Sequence, residues 1–358
     1  MSIKNQQVLV TLSKLSLTSG VSSFWNALFK SFKTYENISF KPLEIGGHGY
    51  NVFGPLLDQW KLYKALKTDI SFICLNPSLI NRSFFRDGLF AKQCVRVKKP
   101  FVVFFHGWEL DFEEEVTKKH RIFFQNSFGK SEKIFVLSQD FKEKILDWGY
   151  EGEVIVERTN VDVELIEDFS MIERREVLET LSPIKILFLA RLIKEKGIFE
   201  LVEAVEKLTT KGFNIELTVA GDGADLDLLK QRVEGITNIK LVGDVQGKEK
   251  VALFKESHFY VLPSYTEGLP ISVLEAMLFG LPVITSSVGG LKYFIEEEKM
   301  GYLVKPKSVE SLVQKIELLV QRKEQMLEVS EYNFNYAEKN LTNTVMARRL
   351  QQHFKELI

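Results

Sequence analysis

Cysteine is nearly missing: Cys74 and Cys94 are the only two in 358 residues, too few for a disulfide framework or a structural zinc site. A reducing compartment and a hydrophobically held fold are expected. With 9 Pro and 22 Gly the chain is neither collagen-like nor low in complexity, and its 45% hydrophobic residues suffice for a core. No apolar run approaches the roughly 18 residues that cross a bilayer, and MSIKNQQVLVTL shows no small-residue cleavage site, so a cytoplasmic protein, soluble or bound to a surface, is expected. Strong charge of one sign is absent too, the net charge being -1. Residues 1–133 nevertheless hold 19 Lys+Arg against 11 Asp+Glu, an excess that suits a local anionic partner and not a nucleic-acid binder with a wholly basic face.

What is present is a rhythm. Short runs rich in Val, Ile and Phe (QQVLVTLSKL, DISFICLN, KPFVVFFHG, EKIFVLS, GEVIVER) alternate with amphipathic stretches. The pattern restarts after residue 182 with IKILFLARL, NIELTVAGDG, NIKLVGD, HFYVLPS and LPVITSS. This predicts an α/β protein of two doubly wound units, with the charged, strandless stretch 163–183 as their connection. The N-terminal domain is expected over 1–165 and the C-terminal one over 166–335, with a helical tail, 336–358, crossing back to the first. Ligands of open parallel sheets bind beyond the carboxyl ends of strands, so strand-to-helix junctions are where chemistry belongs. Two such sheets facing one another would enclose a cleft.

The most informative stretch is PSYTEGLPISVLEAMLFGLPVITSSVGG, 263–290. Glu267 sits in a loop after a strand and Glu275 two turns down the next helix, both beside one strand end. Ionised carboxylates there accept hydrogen bonds from adjacent sugar or ribose hydroxyls. A single acid at a helix start is equally explained by the helix dipole; the pair in this Gly/Pro frame favours the ligand. In FLARLIKEKGIFELVEAV, Arg191 leaves a strand and Lys196 precedes Gly197 and a helix. Two cations across one loop, beside a helix N-terminus, can grip a diphosphate, although solvated surface charges fit the same pattern.

The series ARLIKEKG, VAGDG, LPSYTEGLPISVLEAMLFGLPVITSSVGG and GYLV resembles the C-terminal domain of glycosyltransferase family 4, retaining enzymes of the GT-B fold. The resemblance implies two facing Rossmann-like domains and a sugar transfer that retains anomeric configuration, without a cofactor or metal. It implies that Arg191 and Lys196 bind the donor diphosphate, Glu267 the sugar hydroxyls and Glu275 the ribose. Gly268, Leu269 and Pro270 would shape the loop beside them, with Gly221 and Gly243 at neighbouring strand ends of the donor site. His106, after FVVFF, would approach the sugar near its 6-hydroxyl, in a catalytic set with Glu267, Arg191 and Lys196. Gly20, in LTSGVSS, matches a phosphate-side turn but lacks the family's doubled glycine.

The implied partners are a nucleoside diphosphate sugar, UDP foremost, and a glycan or lipid-linked acceptor of the kind used in envelope polysaccharide synthesis. Asn76, Ser78, Arg86 and Ser138 are candidates for the acceptor side. NRSFFRDGLFAKQCVRVKK, 81–99, sets six cations among Phe84, Phe85, Leu89 and Phe90 and reads either as a helix lying on an anionic membrane or as a core helix with a solvated basic face. Three motifs point nowhere further. GDGADL lacks the third glycine of a dinucleotide fingerprint, Asp225-Leu226-Asp227 opens a helix where acids suit the dipole, and His48 has no second ligand at metal spacing. Two other functions stay open: a sugar-nucleotide 2-epimerase of the same architecture, and a noncatalytic nucleotide-sugar-binding subunit.

Overall fold

The computed structural model describes residues 6–14, 20–32, 38–46, 53–180 and 182–357; His48 lies outside them. Two compact units emerge, one made of 1–160 with 343–358 and the other of 161–342.

Among the described residues eight strands belong to the first unit: Gln6–Leu12 (β1), Ile38–Glu44 (β2), Phe72–Leu75 (β3), Ser78–Leu79 (β4), Phe101–Phe104 (β5), Gly107–Trp108 (β6), Lys133–Val136 (β7) and Glu153–Val156 (β8). Six of them form a parallel sheet in the order β2-β1-β3-β5-β7-β8, while β4 pairs with β6. The FICL, FVVF and KIFV runs are buried throughout, as strands covered on both faces must be. The β4/β6 pair ties the loop after β3 to the loop after β5. The final helix, Asn343–Lys355, packs in this unit through Met346, Ala347, Leu350 and Phe354, with the Phe354 ring edge-on to Phe72 at 5.0 Å.

The second unit has Ile184–Leu189 (β9), Ile215–Ala220 (β10), Ile239–Gly243 (β11), Phe259–Leu262 (β12), Val283–Ser286 (β13) and Gly301–Val304 (β14), all parallel in the order β11-β10-β9-β12-β13-β14. Strand order reverses between β9 and β12, the switch point at which an open parallel sheet takes ligands at its carboxyl edge.

The unit boundaries fall at 160/161 and 342/343, not at the expected 165/166 and 335/336. Charged residues mislead at the first. The stretch read as a connection contains the helix Met171–Glu179, whose buried Arg174 donates to three backbone carbonyls, those of Phe254, Ser257 and Phe279. At the second, the helix Lys323–Asn340 belongs wholly to the second unit, where Asn333 Nδ2 donates to the carbonyls of Leu281 and Met300 at 2.8 Å each.

Candidate functional site

The reversal point of the second sheet is where the four sequence-predicted charges lie. Arg191 and Lys196 follow β9; Glu267 follows β12, and Glu275 is on the helix Ile271–Leu278 after it. Lys196 Nζ donates to Glu267 Oε1 at 2.5 Å, and Ser264 Oγ donates to the same oxygen at 2.7 Å. The two side chains are 16% and 10% exposed, so the pair is mostly desolvated yet open at one side. Oε2 of Glu267 is left for a further donor.

Two glycines set this geometry. Gly197 has φ +72, and a Cβ on it would sit 2.2 Å from the Pro263 carbonyl oxygen, so only glycine lets the loops after β9 and β12 lie against each other. Gly289, at φ +47, presses equally closely on the Glu267 carbonyl oxygen, at 1.8 Å from a notional Cβ. Tyr265 adds a third tie, its N–H donating to Glu195 O at 2.8 Å and its hydroxyl to Glu200 Oε1 at 2.5 Å.

Arg191 is exposed, with no partner for its guanidinium among the described residues. Glu275 is buried at 7% exposure, and its Oε1 accepts from Lys250 Nζ at 2.7 Å. The buried hydroxyl of Tyr260 bridges Leu189 O at 2.9 Å and Ser272 Oγ at 2.8 Å. Burial pushes that phenol's pKa up, and the negative charges of Glu267 and Glu275 push it further, so both carboxylates bear on one point of the site. The N–H groups of Gly268 and Leu269, just before Pro270 at the head of the helix Ile271–Leu278, donate to no group among the described residues. On the flank, Gly221 N–H donates to Gly243 O at 2.7 Å and ties the ends of β10 and β11 together. Among the described residues the arrangement offers the free cation Arg191, the paired cations Lys196 and Lys250, orphan amides and two carboxylates, a set matched to an anion with hydroxyls attached.

In the first unit, His106 follows β5 and Asn76 follows β3, and His106 Nε2 lies 2.9 Å from Asn76 Oδ1. Asn76 Nδ2 donates to Thr11 O at 2.8 Å and Cys74 O at 3.2 Å, while Trp25 Nε1 donates to Oδ1 at 2.9 Å. The amide orientation is therefore fixed. Since Oδ1 can only accept, His106 Nε2 must carry the proton, which leaves Nδ1 as an acceptor. Burial drives the imidazole pKa down to about 3, so the ring is neutral; it stacks on Phe104 at 4.3 Å and meets the edge of Phe24 at 4.8 Å.

The four acceptor-side candidates have different surroundings. Asn76 is buried and its amide is fully engaged in holding His106. Ser138 is 3% exposed and caps the helix Gln139–Asp147, accepting from Phe141 N–H. Arg86 makes a two-pronged pair with buried Asp87, Nε to Oδ1 and Nη2 to Oδ2 at 2.9 Å each. Of the four, only Ser78 keeps a partly exposed side chain uncommitted to a charge or a cap. Gly20 opens the helix Gly20–Phe32 with free space at its Cα. Of the two readings of the 81–99 stretch, its aromatics follow the core one: Phe84 and Phe90 are fully buried, and the partly buried Phe85 packs on Phe112 and Phe123.

Asp225 accepts from Lys194 N–H at 2.6 Å and Asp227 pairs with Lys230, as a helix start requires. Among the described residues no three His, Cys, Asp or Glu gather as metal ligands. Cys74 and Cys94 are buried free thiols. Lys250, Ser264 and Tyr260 escaped the sequence reading. Lys250 lies on a helix with no motif about it, and only its fold neighbour Glu275 gives it meaning.

Residues 171–336 match the family model of glycosyl transferases group 1. The amylovoran biosynthesis glycosyltransferase AmsK of Erwinia amylovora is 29% identical over 215 residues, 56% of this chain and 50% of its own length. The putative teichuronic acid biosynthesis glycosyltransferase TuaC of Bacillus subtilis is 27% identical over 250 residues, 68% of this chain and 61% of its own. The chain thus spans half to three fifths of these relatives. In fold, sucrose-phosphate synthase from Thermosynechococcus elongatus superposes with a TM-score of 0.79 at 16% identity, covering 98% of this chain and 99% of that one. Anabaena Alr3699/HepE, solved in complex with UDP and glucose, does so at 0.71 and 14% identity with the same coverages. Through residues 171–336 the chain is thus similar to the glycosyl transferases group 1, and its two parallel-sheet units are those of the GT-B fold.

Proposed function

We propose that the protein is a retaining glycosyltransferase that moves a sugar from a nucleoside diphosphate sugar, UDP foremost, to a hydroxyl of a glycan or lipid-linked acceptor in envelope polysaccharide assembly. The observation that carries the reading is the convergence of Arg191, the Lys196–Glu267 pair and Glu275 on the reversal point of the second sheet. Relatives named for amylovoran and teichuronic acid biosynthesis support the acceptor class, and neighbours solved with UDP and UDP-glucose support the donor.

In this reading Arg191, Lys196 and the free Gly268 and Leu269 amides take the charge that grows on the departing diphosphate, a role a metal ion would otherwise fill. Lys196 begins bonded to Glu267, so the diphosphate draws on a cation already held in place. Glu267 stays bonded through Oε1 to Ser264 and offers Oε2 to a sugar hydroxyl. It orients the sugar without bonding to the anomeric carbon; attack comes from the face the diphosphate leaves, and a phosphate oxygen takes the acceptor proton. Glu275, fixed by Lys250, accepts from ribose. His106, neutral with Nδ1 free to accept, serves a sugar hydroxyl that donates.

A panel of UDP-, GDP- and ADP-sugars in a thermal-shift assay, followed by turnover with and without acceptor glycolipid, tests this. Stabilisation by one donor class and product formed only with acceptor are expected. Conversion of the donor without acceptor would instead favour epimerisation, and stabilisation without turnover a binding subunit.

A further inference from the structure

The helix Gly54–Ala65 is turned inside out. Phe53, Leu56, Leu57, Trp60 and Tyr63 share one face by their three-and-four spacing and are 66%, 65%, 46%, 53% and 47% exposed. Beside Gly54 and Leu62 it buries Asp58, whose Oδ2 accepts from Gly46 N–H at 2.9 Å. A water-facing helix would show the opposite pattern.

Cations frame the apolar stripe. Lys64 Nζ stands 3.6 Å from the Trp60 ring centroid and Lys67 Nζ 4.3 Å from that of Tyr63. Lys61, its side chain 42% exposed, donates to the Glu44 carbonyl oxygen at 3.2 Å and stands 3.8 Å from Asp58 Oδ1. The neighbouring helix Asn81–Arg96 is joined to this one through Gln93 and Gln59 and presents exposed Leu89, Arg82, Lys92 and Arg96. Lys67 and, more weakly, Arg96 hold the Tyr63 phenol below its ordinary pKa, so Arg96 belongs to the same face. From Phe53 to Lys67 the single acid is Asp58, and from Asn81 to Lys99 it is Asp87; both are buried.

We infer that this face docks on an anionic lipid bilayer, with Phe53, Leu56, Leu57 and Trp60 entering the headgroup boundary and Lys61, Lys64, Lys67 and Arg96 meeting lipid phosphates. Exposed Trp and Tyr with adjoining lysines suit an interface that is apolar on one side and wet and negative on the other. A second copy of the chain fits poorly, since facing helices would set lysine against lysine with no exposed acid within either helix to pair. The inference does not depend on the transfer reading, because its readout is partition and not turnover.

Trp60 makes the test direct: Trp25, Trp108 and Trp148 are 0%, 7% and 0% exposed, so vesicle-induced emission changes report Trp60. The full chain is mixed with vesicles of phosphatidylcholine alone or with phosphatidylglycerol. Flotation and a blue shift only with the anionic vesicles, fading as salt is raised, are expected. Leu56→Ser with Trp60→Ser, and separately Lys64 and Lys67→Glu, should each cut partition at least about tenfold while the melting temperature holds. Equal recovery with both vesicle types, an unmoved Trp60 emission, or retained flotation in both variants overturns the inference. So does concentration-dependent dimerisation without lipid that Trp60→Ser abolishes, which would give the face to a second copy.

Discussion

Lys196 Nζ and Glu267 Oε1, 71 positions apart in the chain, meet at 2.5 Å, so the cation read as a diphosphate ligand and the acid read as a sugar ligand are two halves of one ion pair. Removing either half leaves the other charge desolvated. Lys196→Met or Glu267→Leu alone should cost about 1–3 kcal/mol, less than a fully buried pair because both side chains reach solvent. The double variant should cost clearly less than the sum. Chemical denaturation of all four proteins measures this, and strictly additive losses would contradict the pairing.

Lys250 is expected to act through Glu275. Lys250→Met frees the buried carboxylate from its 2.7 Å partner and should raise the donor KM about three- to tenfold with kcat little changed. Steady-state kinetics with varied donor decides it; a fall in kcat at unchanged KM would contradict the positioning role.

His106 makes the protein sensitive to acid. Its imidazole would take a proton near 6.5 in the unfolded chain but only at about 3 when folded, because burial disfavours the charge. The unfolded state therefore binds more protons between those values, and stability, complete above about 6.5, declines as pH falls toward 3. His258 is shifted the same way by burial. In His106→Gln the loss of stability between about pH 7 and pH 5 should be shallower; an equal slope would argue that His106 titrates normally.

The tautomer of His106 is open to direct observation. Nitrogen-15 NMR of labelled protein should show Nε2 protonated and Nδ1 bare at neutral pH, and Asn76→Leu should abolish that preference. The reverse tautomer in the unaltered protein would undo the network.

The βα rhythm was legible because buried parallel strands are continuous apolar runs, as FVVF and FYVL show. Arg191, Lys196, Glu267 and Glu275 were legible because they lie close to strand ends that the pattern locates. Asn76 was seen without its setting: an amide beyond a strand gives no sign in the sequence of the Thr11, Trp25 and His106 groups that converge on it. Lys250 was invisible, since its partner is 25 residues away and supplied only by packing. Helix 81–96 stayed ambiguous for a related reason, because its Phe residues carry no mark of which side they face, and exposed aromatics lie on the helix before it.

Calorimetric titration of the protein with UDP, before and after Arg191→Ala, tests the donor site most directly. Arg191 is exposed and holds nothing in place among the described residues, so its loss should leave the melting temperature unchanged. The unaltered protein should bind UDP, and the variant should bind it about 10- to 100-fold more weakly, the worth of one or two charge-assisted bonds. Equal affinity in the two proteins, or no nucleotide binding by either, would contradict the placement of a diphosphate between these loops.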